Sequence, residues 1–400
     1  MTPATDSTPA RIPKAIWALG FVSLLMDVSS ELIHSLLPVF MVASLGASAF
    51  AVGLIEGAAE ATALIVKVFS GTLSDYWGKR KPLAVMGYGL GAISKPLFAL
   101  AASVDFVLTA RLIDRVGKGI RGAPRDALVA DIAPPSVRGA AFGLRQSLDT
   151  VGAFLGPLLA MGLMILWAND FQAVFWVAVI PAFLAVALLI FGVQEPEKKQ
   201  TEKRVNPIRR ENLRRLSVAY WWVVAIGGVF TLARFSEAFL VLRAHEGGLA
   251  LALTPLVLIG MNVVFALTAY PIGKLSDTMS HTRLLVYGLL LLIAADGMLA
   301  HSNHWLWVSG GVLLWGLHMG FTQGLFATMV ADAAPEDLRG TAYGFFNLVS
   351  GVALLLASGM AGLIWDRQGA SATFITGIGF SLAALLLIAF RPKLPRIDNA

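Results

Sequence analysis

The sequence of 400 residues contains no cysteine. This absence excludes disulfide bonds, thiolate metal sites and cysteine nucleophiles. Three further motifs are absent: the phosphate-binding loop, H-E-x-x-H and G-x-S-x-G. We therefore expect no ATP hydrolysis, no cofactor and no metal site. An integral-membrane enzyme, the alternative from another functional class, is disfavoured for the same reason.

Charged residues are also scarce, at 14% of the chain, whereas 57% of the residues are hydrophobic. A soluble domain has about 25% charged residues. This composition indicates a polytopic membrane protein with little water-facing mass. The net charge of +6 does not indicate nucleic-acid binding, because the basic residues fall in loops on one predicted side of the membrane.

Long apolar runs predict an all-α membrane protein, since a spanning helix needs about 20 predominantly apolar residues. We count roughly twelve spans. They are 16–42, 50–70, 84–102, 107–129, 140–167, 173–193, 217–242, 251–273, 284–300, 305–330, 342–365 and 372–390. The predicted domains are a six-helix bundle over 1–193, a basic cytoplasmic linker over 194–215 and a second six-helix bundle over 216–400.

The distribution of Lys and Arg predicts the orientation. The loop with Lys79, Arg80 and Lys81 and the linker are strongly basic, whereas the opposite loops offer little more than Arg243 and Arg367. Basic loops stay in the cytoplasm. With an even number of spans, both termini are expected there, and the first apolar run is interpreted as a retained span rather than a signal peptide.

Two motifs recur at nearly one offset. Gly71-Thr-Leu-Ser-Asp75 returns as Gly273-Lys-Leu-Ser-Asp277, a shift of 277 − 75 = 202. The 14 residues from Ala130 return from Ala331, a shift of 331 − 130 = 201. Two different motifs that recur at nearly the same distance along the chain indicate two homologous halves. Such internal repeats are frequent in secondary transporters.

The loop motif resembles the signature between helices 2 and 3 of the major facilitator superfamily, roughly G-x-L-a-D-r-x-G-r-k. Gly71, Asp75, Gly78 and Arg80 fit, whereas Tyr76 departs from the usual arginine. The resemblance implies two pseudo-symmetric six-helix halves and a gating role for the loop residues. The gating candidates are Gly71, Asp75, Gly78, Arg80, Arg138, Gly273, Asp277 and Arg339. We expect Asp75 to pair with a cation such as Arg138.

Ionisable residues inside predicted spans form stripes at helical spacing, and such residues usually face a cavity or each other. Lys95, Asp296 and His318 have no such neighbours and are interpreted as isolated. The stripes are Asp27, Glu31 and His34 in span 1; Glu56, Glu60 and Lys67 in span 2; Arg111, Asp114, Arg115 and Lys118 in span 4; Arg145 and Asp149 in span 5; Arg234 and Glu237 in span 7.

Some of these residues have a simple structural explanation. Arg145 and Asp149 can neutralise each other within one helix, and Lys67 and Lys118 can extend towards the interface. Adjacent carboxyl groups are different, because burial and a like-charged neighbour both favour the neutral, protonated form. The proton-coupling candidates are therefore Asp27, Glu31, Glu56 and Glu60, with Arg111 added because the family resemblance implies a buried arginine on helix 4.

The same resemblance implies that helices 1, 4, 7 and 10 line a central cavity and that helices 2, 5, 8 and 11 form a moving interface. The substrate-cavity candidates are His34, Arg115, Arg234, Glu237, Arg145 and Asp149. In span 5, Gly152, Gly156 and Pro157 resemble the G-x-x-x-G-P motif associated with antiporters. Small residues and proline there suit either a hinge or plain helix packing.

These observations predict a proton-coupled secondary transporter of the bacterial inner membrane that exports a small organic molecule or metabolite by alternating access. Uptake of an anionic or zwitterionic solute by proton symport is one alternative. Export of a divalent metal or its chelate is another, suggested by the carboxylates and imidazole of span 1. The expected partners are the small-molecule substrate, protons and the lipid bilayer, with no nucleic acid and a monomeric state.

Overall fold

The computed structural model describes residues 12–77, 79–195, 215–276, 278–301, 304–322, 324–335 and 338–390. For Thr72, Asp75, Tyr76, Pro135 and Ser276 it describes the backbone alone. Within these residues the regular structure is helical throughout. The predicted linker 194–215 lies almost entirely outside the described residues.

Fifteen α-helices follow one another along the described part of the chain. They are α1 (Lys14–His34), α2 (Leu37–Ala43), α3 (Ala49–Trp77), α4 (Lys81–Ala99), α5 (Val104–Ile132), α6 (Arg138–Leu166), α7 (Phe171–Gly192), α8 (Val218–Ala233), α9 (Ala238–Glu246), α10 (Pro255–Ser276), α11 (His281–His301), α12 (Trp305–Thr322), α13 (Leu325–Ala333), α14 (Arg339–Gln368) and α15 (Ala370–Ala389).

These helices form the twelve predicted spans, because α1 and α2, α8 and α9, and α12 and α13 each share one span. By length and composition alone, nine helical segments of the described chain are apolar enough to cross a membrane. The other three spans are α4, α5 and the α12–α13 pair. Helix α5 is rich in charge, and α4 carries two lysines and three glycines, which lowers the mean hydropathy of both.

Three spans are interrupted where the sequence predicted continuous helices. Span 1 breaks after His34, ahead of Pro38, which lacks a backbone N–H. Span 10 restarts after Gly324, whose φ of 94° is accessible to glycine. Span 7 breaks between α8 and α9 without proline or glycine. There the backbone N–H of Ser236 donates to Ser358 Oγ at 3.1 Å, so a side chain of α14 supplies the acceptor that the helix no longer offers.

The loop motif begins inside a helix and not after one. Helix α3 runs on to Trp77 and α10 to Ser276. Gly71 and Gly273 therefore lie in the last turns of helices and not in loops. The prediction used apolar length alone, whereas a helix continues through polar residues until a breaker such as glycine or proline stops it. Arg138 and Arg339 likewise begin α6 and α14.

Two compact units emerge from the contacts. The first joins Met1–His34 to Val66–Arg204, and the second joins Ser35–Ile65 to Val205–Ala400. The segment 35–65 thus groups with the second unit, although it precedes the linker in sequence. The division of domains at 194–215 stays a prediction.

Each unit repeats one packing scheme. In the first, α1 packs against α6 and α7, and α4 packs against α5 and α7. In the second, α8 packs against α14 and α15, and α11 packs against α12 and α15. Tyr88 and Met26 belong to the apolar core of the first unit, and Tyr220 and Phe230 to that of the second. This recurrence is what the sequence repeat predicted.

Candidate functional site

A cluster of charged side chains lies inside the first unit, where the end of α1 meets α5. His34 ends α1, and its two ring nitrogens face two arginines. Nε2 contacts Arg111 Nη1, and Nδ1 lies 3.2 Å from Arg115 Nη2. Both arginines are buried, with 2% and 3% of their surface exposed. The spacing of four residues on α5 places both guanidinium groups on one face of that helix.

Asp114 balances this positive charge. Its carboxylate accepts from Lys95 Nζ of α4 at 2.7 Å and from Ser94 Oγ at 3.3 Å. It also lies 3.5 Å from His34 Nε2 and 4.0 Å from Arg111 Nη1. A buried carboxylate with this many donors remains ionised and orients the basic groups around it.

Lys95 is fully buried and donates to Ser30 Oγ of α1 at 3.0 Å as well as to Asp114. The expectation that Lys95 is isolated was therefore wrong. Its partner lies on the next span and has no fixed spacing from it along the sequence. Buried cations in membrane proteins usually have a carboxylate partner. Looking for such an acid in the neighbouring span would have identified Asp114 as the partner of Lys95.

The two acids of α1 have different surroundings. Glu31 Oε1 lies 3.7 Å from His34 Nδ1. Asp27, one turn earlier, is half-buried and forms no hydrogen bond and no ion pair with the described residues. The charged groups in electrostatic reach of Asp27 are Asp149, Arg121, Lys118 and Glu31. Asp27 is thus the acid of this stripe that can change its charge without breaking a contact.

A second ionic cluster joins α5 to α6. Arg145 Nη1 contacts Asp149 within one helix, as their spacing suggested, and Arg145 Nε lies 3.7 Å from Asp126. Arg125 lies 3.9 Å from Asp149 and 3.1 Å from Asp126, and it donates to Ser23 Oγ at 3.4 Å. Arg125 and Asp126 were not predicted members. The cluster ties three helices together.

The glycines of α6 lie against α1 beside its two acids. A Cβ at Gly152 would lie 2.6 Å from the Leu24 carbonyl oxygen and 3.0 Å from Asp27 Cβ. A Cβ at Gly156 would lie 2.8 Å from Glu31 Cβ. Both glycines therefore permit close backbone approach, as small residues do at membrane helix interfaces. Pro157 lies inside the continuous helix α6. The hinge role stays a prediction.

We expect Gly156→Ala to lower the stability of the protein by about 1–3 kcal/mol, because the added methyl group overpacks the α1–α6 contact. The measurement is thermal unfolding in detergent. Gly162→Ala on the same helix is the matched control, since its Cβ would meet nothing within 4 Å. Equal stability of the two variants would show that the close contact does not hold the bundle.

Glu56 and Glu60 lie in the other compact unit, because their part of α3 belongs to segment 35–65. Glu56 is 6% exposed and Glu60 is half-buried. On the same stretch of α3, a Cβ at Gly57 would lie 2.9 Å from Leu355 Cα of α14. The two acidic pairs, which the sequence placed on neighbouring helices, thus fall into different compact units.

Arg234 and Glu237 frame the interruption between α8 and α9. Arg234 Nη2 donates to Glu237 Oε1 at 3.3 Å, and both side chains are partly exposed, at 26% and 38%. The pair is therefore a bridge across the break rather than a buried charge cluster. Its position in span 7 agrees with the predicted stripe.

The loop motif forms an ion pair that the repeat duplicates. Arg80 Nη1 lies 2.7 Å from Asp131 Oδ2, which joins the start of α4 to the end of α5. At the shift of 201, His281 Nδ1 lies 3.6 Å from Asp332 Oδ2. Gly78 and Asp277 lie outside the described residues, as does the side chain of Asp75, so the Asp75–Arg138 pairing stays a prediction.

No group of three or more His, Cys, Asp or Glu side chains in the described parts of the chain is placed to hold a metal ion. In the first unit, His34 instead faces two guanidinium groups. The cluster can bind an anionic group or exchange protons, because it offers guanidinium donors beside an imidazole and carboxylates.

The described helices form two units with the same packing scheme, and charged side chains are buried inside the first. This arrangement is typical of membrane transport proteins. The comparisons agree, since the Major Facilitator Superfamily model matches residues 19–358. The chain is 31% identical to an uncharacterized MFS-type transporter of Methanocaldococcus jannaschii, over 95% of both chains. This protein therefore belongs to the Major Facilitator Superfamily.

Two further similarities refine the comparison. The multidrug resistance protein MdtH of Proteus mirabilis is 27% identical and is matched over 87% of this chain and 86% of its own. The crystal structure of a mutant of the nucleoside transporter NupG superposes with a TM-score of 0.78 at 13% identity, covering 94% of this chain and 100% of that one. The structural match at this identity bears on the fold alone.

Proposed function

We propose that this protein is a proton-coupled secondary active transporter that exports a small organic molecule or metabolite across the bacterial inner membrane by alternating access. The observation that carries the proposal is Asp27. It is a half-buried carboxyl group in a span, and no described residue pairs with it. A carboxyl group in that position can take up and release a proton without breaking a contact of the folded protein.

The neighbouring basic cluster supports a role in substrate binding. His34, Arg111 and Arg115 present donors to one location, and Glu31 lies beside them. A substrate with an anionic or zwitterionic group fits these donors, because guanidinium groups bind carboxylates and phosphates in two-point contacts. Bare divalent cations do not fit, since the two arginines beside the imidazole repel them.

Proton and substrate can compete through this arrangement. A proton on Asp27 removes a negative charge near Glu31 and the basic groups of α5, and a charged substrate changes the field at Asp27. Such mutual exclusion is how an antiporter couples two fluxes. The similarity to a protein named for multidrug resistance favours export. Proton symport of an anionic solute remains the second candidate, because the buried arginines suit an anion equally well.

The remaining parts of the proposal concern topology and state. Both termini are cytoplasmic, in keeping with the basic loops. The ion pair of Arg80 with Asp131 then lies on the cytoplasmic side, where it supports the gating loop. The protein works as a monomer in the bilayer.

The test is a luminal pH measurement in proteoliposomes with an acidic interior. A panel of anionic, zwitterionic, cationic and neutral compounds is added outside. We expect a transported compound to make the lumen more alkaline, because each molecule that enters by antiport releases a proton. Protein-free liposomes are the control.

The direction of the pH change separates the candidates. Luminal acidification by an entering compound would indicate symport and contradict antiport. A compound that exchanges by counterflow without any pH change would show that transport is not coupled to protons.

A further inference from the structure

Asp296 is a buried acid in α11 of the second unit that the proposed mechanism does not use. It is 0% exposed, and neither carboxylate oxygen has a hydrogen-bond partner among the described residues. A Cβ at Gly377 of α15 would lie 2.6 Å from Asp296 Oδ2. The carboxyl group is therefore packed closely against the backbone of α15, where a side chain at position 377 would displace it.

The internal repeat shows what is missing at this site. Asp296 corresponds to Lys95, since 296 − 95 = 201, and Trp315 corresponds to Asp114, since 315 − 114 = 201. In the first unit this pair of positions holds a buried ion pair at 2.7 Å. In the second unit it holds a carboxyl group and an indole, whose Nε1 also lacks a partner among the described residues. The second unit keeps the ionisable position but has no countercharge.

Gly377, which lies next to Asp296, is also close to an aromatic ring and to the carbonyl oxygen of Ala233. Phe235 lies beside Gly377, with its ring carbon Cε1 3.3 Å from the Cβ position of that glycine, and its ring is 5.7 Å from that of Trp315. A small cavity between α8, α14 and α15 is lined by Leu232, Phe235, Thr376 and Gly377. The carboxyl group thus lies behind Gly377, at the wall of a cavity next to the span 7 break.

Helix α11 packs against α12, whose titratable residue is His318, and against α15, which has no ionisable residue; Arg234 and Glu237 lie at the span 7 break. His318 Nδ1 donates to the Gly288 carbonyl oxygen at 2.8 Å, which leaves Nε2 as an acceptor. Arg234 is engaged with Glu237 across the break at 3.3 Å. None of them forms an ion pair with Asp296, so no described cation compensates an ionised carboxylate there.

The chemistry of the site selects its occupant. An ionised carboxylate without a partner in a dry interior is strongly disfavoured, so the group is neutral when the unit is closed around it. A metal cation requires several further oxygen ligands, whereas the nearest groups around the Cβ position of Gly377, besides Asp296 itself, are the Phe235 ring and a single carbonyl oxygen, that of Ala233. A proton requires no ligand besides the carboxyl group itself.

We propose that Asp296 is a proton-binding site of the second unit, which holds a proton while the site is closed and releases it when the adjoining cavity opens to water. The release is reversible protonation, in which the O–H bond of the carboxyl group breaks and water takes up the proton. This inference adds a second protonation site to the proposed function, yet its first test requires neither a substrate nor Asp27.

The test is infrared difference spectroscopy of the full-length protein in liposomes between acidic and alkaline pH. We expect the wild-type protein to show the C=O stretching band of a neutral carboxyl group at neutral pH, and this band to decrease as the pH rises. The band should be missing from Asp296→Asn. A spectrum in which the two proteins do not differ would overturn the proposal. A band that persists unchanged at every pH would overturn it too, since the group would then be a static carboxylic acid.

Two further measurements do not depend on the folding of the variant. A membrane-soluble carbodiimide, which attacks neutral carboxyl groups, is expected to label Asp296 of the wild type several-fold more than Asp114, as read by peptide mass spectrometry. Asp114 is the internal control, because it is equally buried but paired with Lys95. Labelling of Asp114 above Asp296 would contradict the assignment. Loss of the infrared band on adding sodium chloride at constant pH would assign the site to a metal cation and overturn it as well.

Discussion

Replacing Asp27 with asparagine is expected to abolish pH-driven transport, down to the level of protein-free liposomes, while counterflow exchange of the substrate continues. Asparagine keeps the size of the side chain but cannot take up or release a proton. Because Asp27 has no hydrogen bond or ion pair with the described residues, the substitution breaks no contact of the folded protein. The transported compound should therefore still bind and exchange.

The measurement is the luminal pH change in proteoliposomes, combined with counterflow of a labelled substrate in the same preparation. Asp105→Asn is the matched control, because Asp105 is an exposed acid in the first turn of α5, away from the cluster. If Asp27→Asn kept the full pH response, the coupling proton would have to be carried elsewhere. Glu31 is the next residue to test, since it contacts His34.

Replacing Lys95 with methionine is expected to cause the largest loss of stability. The substitution leaves the carboxylate of Asp114, which is 2% exposed, without its donor at 2.7 Å. Removing one partner of a buried ion pair typically costs about 3–5 kcal/mol, and we expect the lower end of this range because Ser94 and Arg111 stay beside Asp114. It also removes the donor that Lys95 offers to Ser30 of α1. Thermal unfolding in detergent measures the effect.

The double variant Lys95→Met, Asp114→Asn separates this explanation from a simple packing defect. Asparagine at position 114 removes the carboxylate that has lost Lys95 but also the acid beside Arg111, so part of the lost stability should return. Lys81→Met is the matched control, because Lys81 Nζ donates to the Ile190 carbonyl oxygen at an exposed position. Should the double variant be no more stable than Lys95→Met, the carboxylate of Asp114 left without Lys95 would not explain the loss.

Part of the charged site could be predicted from the sequence. The stripe of Asp27, Glu31 and His34 follows from helical spacing, and the structure brings His34 into contact with Arg111 and Arg115 of the predicted stripe on α5. The i, i+4 spacing of Arg145 and Asp149 likewise gives a contact. These contacts form within one helix or between two helices that each carry a stripe of charged residues. The spacing of the charged residues along the sequence therefore indicates them.

Other parts of the site could not be obtained in this way. Lys95 and Asp296 occupy equivalent positions of the repeat and look equally isolated in the sequence. The structure pairs the first with Asp114 and leaves the second without a partner among the described residues. Which residue meets a buried charge depends on the rotation and depth of the neighbouring helix. Close contacts between helices set this rotation and depth. For example, a Cβ at Gly117 of α5 would lie 2.6 Å from the Gly87 carbonyl oxygen of α4.

The sequence by itself determined the class of this protein. Apolar runs indicated a membrane protein of many spans, the offset of 201 indicated two halves, and the loop motif indicated the superfamily, because each of these properties is local or periodic along the chain. Only the tertiary structure decided that span 7 breaks without proline or glycine, that segment 35–65 groups with the second unit, and which buried charges are compensated. These features depend on contacts between helices that are distant in sequence. At the break in span 7, for example, the backbone N–H of Ser236 donates a hydrogen bond to the hydroxyl oxygen of Ser358.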